Sequence, residues 1–244
     1  MRVRALACVS LVGLVMSMAA AQDIPAFTVL PVMLNSTLDV RHDKPGEPVA
    51  GKIMQDVALP GGQVIHRGSK ILGHVVSVRP ASASSPSQLI LKFDELQLKG
   101  HMVPITTELR ALASLNEVYE ARLPTNAIDD YGTSPSDWNT VQIGGAGVYR
   151  GSGEVVEAGK VVGRATDYGA VTAKLMAAPD RGCSASGEQE QALWKFSPWA
   201  CGAYGLADLK ILRSSELKQN GEIALESSRD ILIRSGSGWL LEAR

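Results

Sequence analysis

The stretch from Gly62 to Val78, GQVIHRGSKILGHVVSV, sets His66, Arg67, Lys70 and His74 among valines and isoleucines, with Gly62, Gly68 and Gly73 between them. Imidazoles at close spacing ligate metals or act as general bases. Here the geometry argues against both. Arg67-Gly68 fits a hairpin tip, Gly68 supplying the positive φ such turns need. With those two residues as the loop, His66 pairs with Ser69 and His74 with Gly61. The rings then stand about 17 Å apart along the ladder, at roughly 3.3 Å per residue. One metal ion needs nitrogen ligands about 2 Å from its centre. His42 and His101 fall in other loops. The histidines read as solvated groups on strand edges, with no metal and no cofactor.

Other motifs resolve the same way. Gly46 to Ile53, GEPVAGKI, has the spacing of a phosphate-binding loop up to Lys52. The next residue is Ile53, where that motif needs the serine or threonine that holds magnesium, and the segment leads into a strand. The sequence SGSGW puts Ser235 where a nucleophile elbow requires glycine. Asp94 and Glu95, as strand neighbours, point to opposite faces. Asp129-Asp130 lies in a polar loop of the kind calcium favours, but without EF-hand spacing. No catalytic residue is assigned, and the chain reads as no enzyme.

The aromatic group near the C-terminal third is the candidate binding site. Trp194, Phe196, Trp199 and Tyr204 crowd beside Cys201. Such a group stacks sugars or a peptide, or else it packs as a satellite core, since aromatics bury large areas. Packing is the favoured reading. Cys183 and Cys201 are read as one disulfide, on even count and an oxidising compartment.

That compartment follows from the N-terminus, MRVRALACVSLVGLVMSMAAAQD. Arg2 and Arg4 form a basic start, an uncharged apolar run follows, and Ala19-Ala20-Ala21 fits a cleavage site. The pattern is a signal peptide over residues 1–21, placing the chain in the periplasm or outside the cell. Cleavage removes two arginines and no acid, so the formal charge of −1 becomes −3. This near-balance gives no reason to expect nucleic acid. No later segment is long and apolar enough to span a bilayer.

The elements that must carry these residues are mostly strands. Residues 26–113 alternate short β-rich runs with turns. FTVLPVMLNSTLDV reads as a run broken at Pro31, PGG as a turn, and LILKFDELQL buries Leu89, Leu91 and Phe93 on one face. Residues 116–178 are glycine-rich and polar. SGEQEQALWKF carries a helix signal, with Ser186 as cap and Ala192, Leu193 and Phe196 at helical spacing. The tail returns to strands, with Asn220-Gly221 a hairpin signal and Ser235 to Gly238 a further turn. The fold class is mainly β, a barrel or sandwich with one short helix near residues 188–197. The division is a β domain over 22–115 and a glycine-rich extension over 116–244 on the same core.

VALPGGQVIHRGSKILGHVVSV followed by LILKFDELQLKGHMVPI resembles the barrel domain of TrbI-like conjugal-transfer proteins, core-channel components of type IV secretion. Gly68, Ser69, Gly73, Phe93, Leu96 and Gly100 fill the matching places, while His66 stands where a proline is usual. The resemblance covers roughly residues 27–112 and implies a barrel fold and a place in the cell envelope. The functional expectation is a non-enzymatic exported protein, a scaffold or binding module for an envelope protein or polysaccharide. The alternative is a secreted hydrolase or carbohydrate-active enzyme whose site is assembled only in the fold.

Overall fold

The computed structural model describes residues 24–121, 139–145, 147–151, 154–157, 159–165, 171–174, 190–193, 195–212 and 221–244. Over these the chain is mainly β, with one short α-helix. The first run of strands is β1 (Val29–Leu34), β2 (Leu38–Asp39), β3 (Pro48–Ile53), β4 (Val57–Ala58), β5 (Val64–Ile65), β6 (Lys70–Arg79), β7 (Ser87–Leu98), β8 (His101–Pro104) and β9 (Thr107–Ala113). Helix α1 (Leu115–Glu120) follows. Next come β10 (Asn139–Val141), β11 (Gly147–Gly151), β12 (Glu154–Glu157), β13 (Lys160–Ala165), β14 (Val171–Lys174) and β15 (Glu190–Leu193). The last strands are β16 (Gly202–Tyr204), β17 (Lys210–Leu212), β18 (Ile223–Ser227), β19 (Leu232–Ile233) and β20 (Gly238–Ala243).

The main sheet runs β16-β9-β20-β1-β3-β6-β7-β18-β17, with β8 on the C-terminal half of β7. It curls into a nearly closed barrel. Two register shifts bend the long β6–β7 pair: Val76 is the extra residue on β6 and Asp94 the extra residue on β7. Such bulges sharpen local twist and re-aim side chains. The curl brings β7 round to β9, where Thr107 Oγ1 donates to the Phe93 carbonyl at 3.3 Å. Just before β9, the Ile105 amide donates to the Asp94 carbonyl at 2.9 Å.

Leu89, Leu91 and Phe93 face the interior as their alternation predicts, and Trp239 of β20 meets Phe93 edge-on at 5.7 Å. Enclosing each such side chain is worth roughly 1.5–3 kcal/mol, which is why the alternation fixes the face of β7. Of the strands after residue 116, β18 and β20 join this same core through Ile223, Leu225, Trp239 and Leu241.

Strands β10 to β15 form a second sheet, an antiparallel meander inserted between β9 and β16. Beyond its end strands, Ile143 and Phe196 make a parallel bridge. This sheet lies on the outer wall of the barrel. Val29, Ala111, Ala113 and Leu240 of the wall meet Val155, Ala173, Leu193 and Phe196 in a second apolar cluster.

Three local expectations are corrected. The helix near residues 188–197 is strand β15 over Glu190–Leu193, pairing with β14 from Val171↔Leu193 to Lys174↔Glu190. Leu193 is fully buried in the second cluster, so tertiary pairing overrides local helix propensity. The short helix is α1 instead. Ser114 caps it by accepting from the Glu117 amide at 3.3 Å, and Ser114 with Glu117 has the spacing of a capping box.

The second correction concerns the hairpin. Ser69 does close a turn on the His66 carbonyl at 3.0 Å, and Gly68 has φ +86°. The flanking strands do not pair with each other. β5 returns to β4 around a 3-10 turn at Pro60–Gly62, and β6 crosses to β3. That pairing seats Ile71 and Val75 in the barrel core, which a local hairpin would not.

The third is Pro31, which lies within β1. On the β3 side the ladder begins at Val32, and past it the Met54 amide donates to the Pro31 carbonyl at 2.9 Å, so Pro31 stands at the end of that ladder, where its missing N–H is tolerated.

Candidate functional site

The histidines occupy separate places. His42 Nδ1 lies 2.9 Å from Asp39 Oδ2, His66 Nδ1 lies 3.7 Å from Asp56 Oδ2, and His74 Nδ1 lies 3.1 Å from Asp94 Oδ2. His101 is exposed at the start of β8. The Asp39 carboxyl is held below its ordinary range, chiefly by the Arg41 amide N–H and then by the His42 ring. Asp94 stands at the β7 bulge, two residues on from Lys92, the register partner of His74. Among the described residues no cluster of three or more histidine, cysteine or acidic side chains has the arrangement to hold a metal ion.

The two glycines beside these histidines serve different ends. Open space surrounds the missing Cβ of Gly68, so the positive φ alone selects glycine there. At Gly73 a Cβ would lie 1.7 Å from the Lys92 carbonyl oxygen. Backbone meets backbone at the bulge, and only glycine leaves room.

The aromatic segment is built around the return of the chain from the second sheet to the barrel. Phe196 is fully buried. On either side of it, the Ile143 amide donates to the Lys195 carbonyl at 2.7 Å and the Ser197 amide to the Ile143 carbonyl at 2.9 Å. Trp199 is half-buried, and its amide donates to Ser197 Oγ at 3.1 Å. The Tyr204 hydroxyl accepts from the Cys201 amide and donates to the Cys201 carbonyl, both at 2.9 Å. It sits so close to Gly144 that a Cβ there would lie 2.5 Å away. Trp194 and Cys183 lie outside the described residues, as do Asp129, Asp130 and Asn220. Cys201 is enclosed, at 1 % exposure.

The residue that organises this segment escapes sequence reasoning. Arg110 of β9 donates through Nε to the Ala200 carbonyl at 3.0 Å and through Nη2 to the Pro198 carbonyl at 3.1 Å. Its Nη1 lies 3.9 Å from Glu242 Oε2, and the two side chains are only 3 % and 5 % exposed. Glu242 also meets Arg244, at 2.9 Å, and Arg244 reaches Glu108 at 2.7 Å. Burial pushes the Arg110 guanidinium down, against the pull of Glu242 and Tyr204. Burial likewise pushes the Glu242 carboxyl up, against Arg244 and Arg110. The available signal is an arginine inside the apolar run LRALA and a glutamate inside WLLEA. Each is a charged residue beside buried apolar ones, Ala111, Leu112 and Ala113 after Arg110 and Leu240, Leu241 and Ala243 around Glu242.

The segment therefore places a partly exposed indole beside a rigid, hydrogen-bonded turn on the barrel wall. No protein-family model matches the chain, and no curated protein matches it.

Proposed function

We propose that the chain is a non-enzymatic, exported cell-envelope protein that acts as a scaffold or binding module. The observation that carries this reading is the signal-peptide pattern of residues 1–21 standing before a β-barrel. The TrbI-like resemblance belongs to the same proposal. The turn at Gly68-Ser69 and the close approach at Gly73 are what a barrel asks of those positions, and this supports it. A protein of the periplasm, or one secreted beyond it, meets envelope proteins and polysaccharides, and one of these is the proposed partner. Among the described residues no helix is long and apolar enough to cross a membrane.

Trp199 is the residue assigned to the partner. Phe196 is fully enclosed and the Tyr204 hydroxyl is committed to Cys201, whereas Trp199 keeps part of its surface. Indole faces stack on sugars and on peptide side chains alike. The proposed disulfide between Cys183 and Cys201 stiffens the chain on the other side of the same turn.

Capture from an envelope extract tests the reading, using the chain from Gln22 onward as bait. The expected result is one protein or glycan retained by the wild type and lost with Trp199→Ala. Recovery of the chain only from the cytoplasm, with residues 1–21 attached, would overturn it.

A second reading, a secreted hydrolase, draws on His74 and Asp94. A carboxylate on Nδ1 orients an imidazole as a general base. Turnover of ester or glycoside substrates that vanishes with His74→Gln would favour it over the scaffold.

A further inference from the structure

We propose that Lys52, Lys70 and Gln97 form a binding strip for an acidic polysaccharide on the outer wall of the barrel. Three adjacent strands supply one residue each. Lys52 of β3 and Lys70 of β6 are register partners. The neighbouring pair Ile71↔Leu96 sets Gln97 of β7 beside Lys70, and the Lys70 amide donates to Gln97 Oε1 at 3.4 Å. Ile71 and Leu96 lie in the barrel core, so strand alternation turns Lys70 and Gln97 outward. Both lysines are exposed, and Gln97 is partly so.

Like charges directly opposite each other across a ladder destabilise it. Among the described residues neither ammonium has a carboxylate partner. Glu95, two residues back along β7, stands opposite Leu72 instead. An anion seated between the two ammoniums removes their repulsion. With its Oε1 turned to the Lys70 amide, Gln97 presents its NH2 as a third donor in the same line.

That line runs across the strands, which are spaced about 4.8 Å apart. The spacing is close to the advance per ring of an extended polysaccharide, so successive acidic sugars meet successive strands. The row continues to Met102 of β8, the exposed partner of Gln97, which offers an apolar seat for the C–H face of a ring. Donors in single file on a convex wall suit a linear polyanion better than a flat bilayer. The strip lies on β3, β6 and β7, apart from the turn that carries Trp199. Only its meeting an envelope polymer rests on the proposed export.

Binding of the purified mature chain to polygalacturonate tests the strip without recourse to export, with neutral dextran and phosphatidylglycerol vesicles as comparisons. The expected result is binding to polygalacturonate that weakens with salt, and none to dextran. Lys52→Gln should weaken it about fivefold, the scale for one cationic side chain at an anionic surface, and Lys52→Gln with Lys70→Gln should weaken it further. Lys52→Glu sets opposite charges across the ladder. It should abolish binding while raising the melting temperature, a combination that a purely structural lysine does not give. Failure to bind the polymer, equal affinity for dextran, unchanged affinity in the folded double variant, or vesicle binding in place of polymer binding would each overturn the proposal.

Discussion

The Cβ that Gly73 lacks would stand 1.7 Å from the carbonyl oxygen of Lys92, where β6 and β7 touch at a bulge. No rotamer relieves that clash, because both partners are backbone. Gly73→Ala should therefore cost at or above the ~1–3 kcal/mol typical of overpacking. Gly68→Ala meets open space and pays only for its positive φ, about 1–2 kcal/mol. Urea denaturation of the two variants compares them, and a costlier Gly68→Ala would contradict this account of the stretch.

His66 and His74 are each paired with a separate aspartate, His66 largely in solvent and His74 partly exposed. Exposed pairs of this kind contribute little. Replacing both by Gln should leave the melting temperature unchanged within error. Metal analysis of the purified wild type is the companion measurement. Stoichiometric zinc or copper that disappears in the double variant would show that the rings converge on a ligand after all.

Glu242 gives a pH signature. Burial raises its pKa above the ordinary 4.5, so the folded state holds the proton more tightly than the unfolded chain. The stability this contributes is fully present below the unfolded value and is lost as pH rises through the folded one. Glu242→Gln removes that dependence. The stability of the variant relative to wild type should therefore climb as pH rises from below 4.5 towards neutrality. Thermal melts across that range measure the slope, and a slope of opposite sign would mean that Arg110 and Arg244 outweigh burial.

Cys201 is enclosed beside the Tyr204 hydroxyl. Its proposed bond to Cys183 closes a loop whose constraint is worth roughly 3 kcal/mol in the chain-entropy model. Thiol titration of the denatured, unreduced protein from the periplasm should find none free. Two titratable thiols would end the idea.

Much of the barrel is legible in the sequence. Alternation in LILKFDELQL selects the buried face of β7, because the side-chain period of a strand is two and burial is large for Leu89, Leu91 and Phe93. Gly68 marks its turn because positive φ is a local property of the backbone. The run of charge, apolar residues and small residues over 1–21, on which the proposed export rests, is likewise a local pattern.

What the sequence leaves open is every choice between distant partners. The same residues at Glu190–Leu193 suit a helix by composition, and they became β15 because β14 offered a ladder and Leu193 a place in the wall cluster. The turn at Arg67-Gly68 is local, yet its flanking strands separate to β4 and β3, since the barrel core takes Ile71 and Val75. Nothing near Arg110 in the chain points to its partners; the fold brings the Pro198 and Ala200 carbonyls against its guanidinium. Turn chemistry and strand period act over a few residues. Strand partnership and the pairing of buried charges are decided by which far parts of the chain can cover each other.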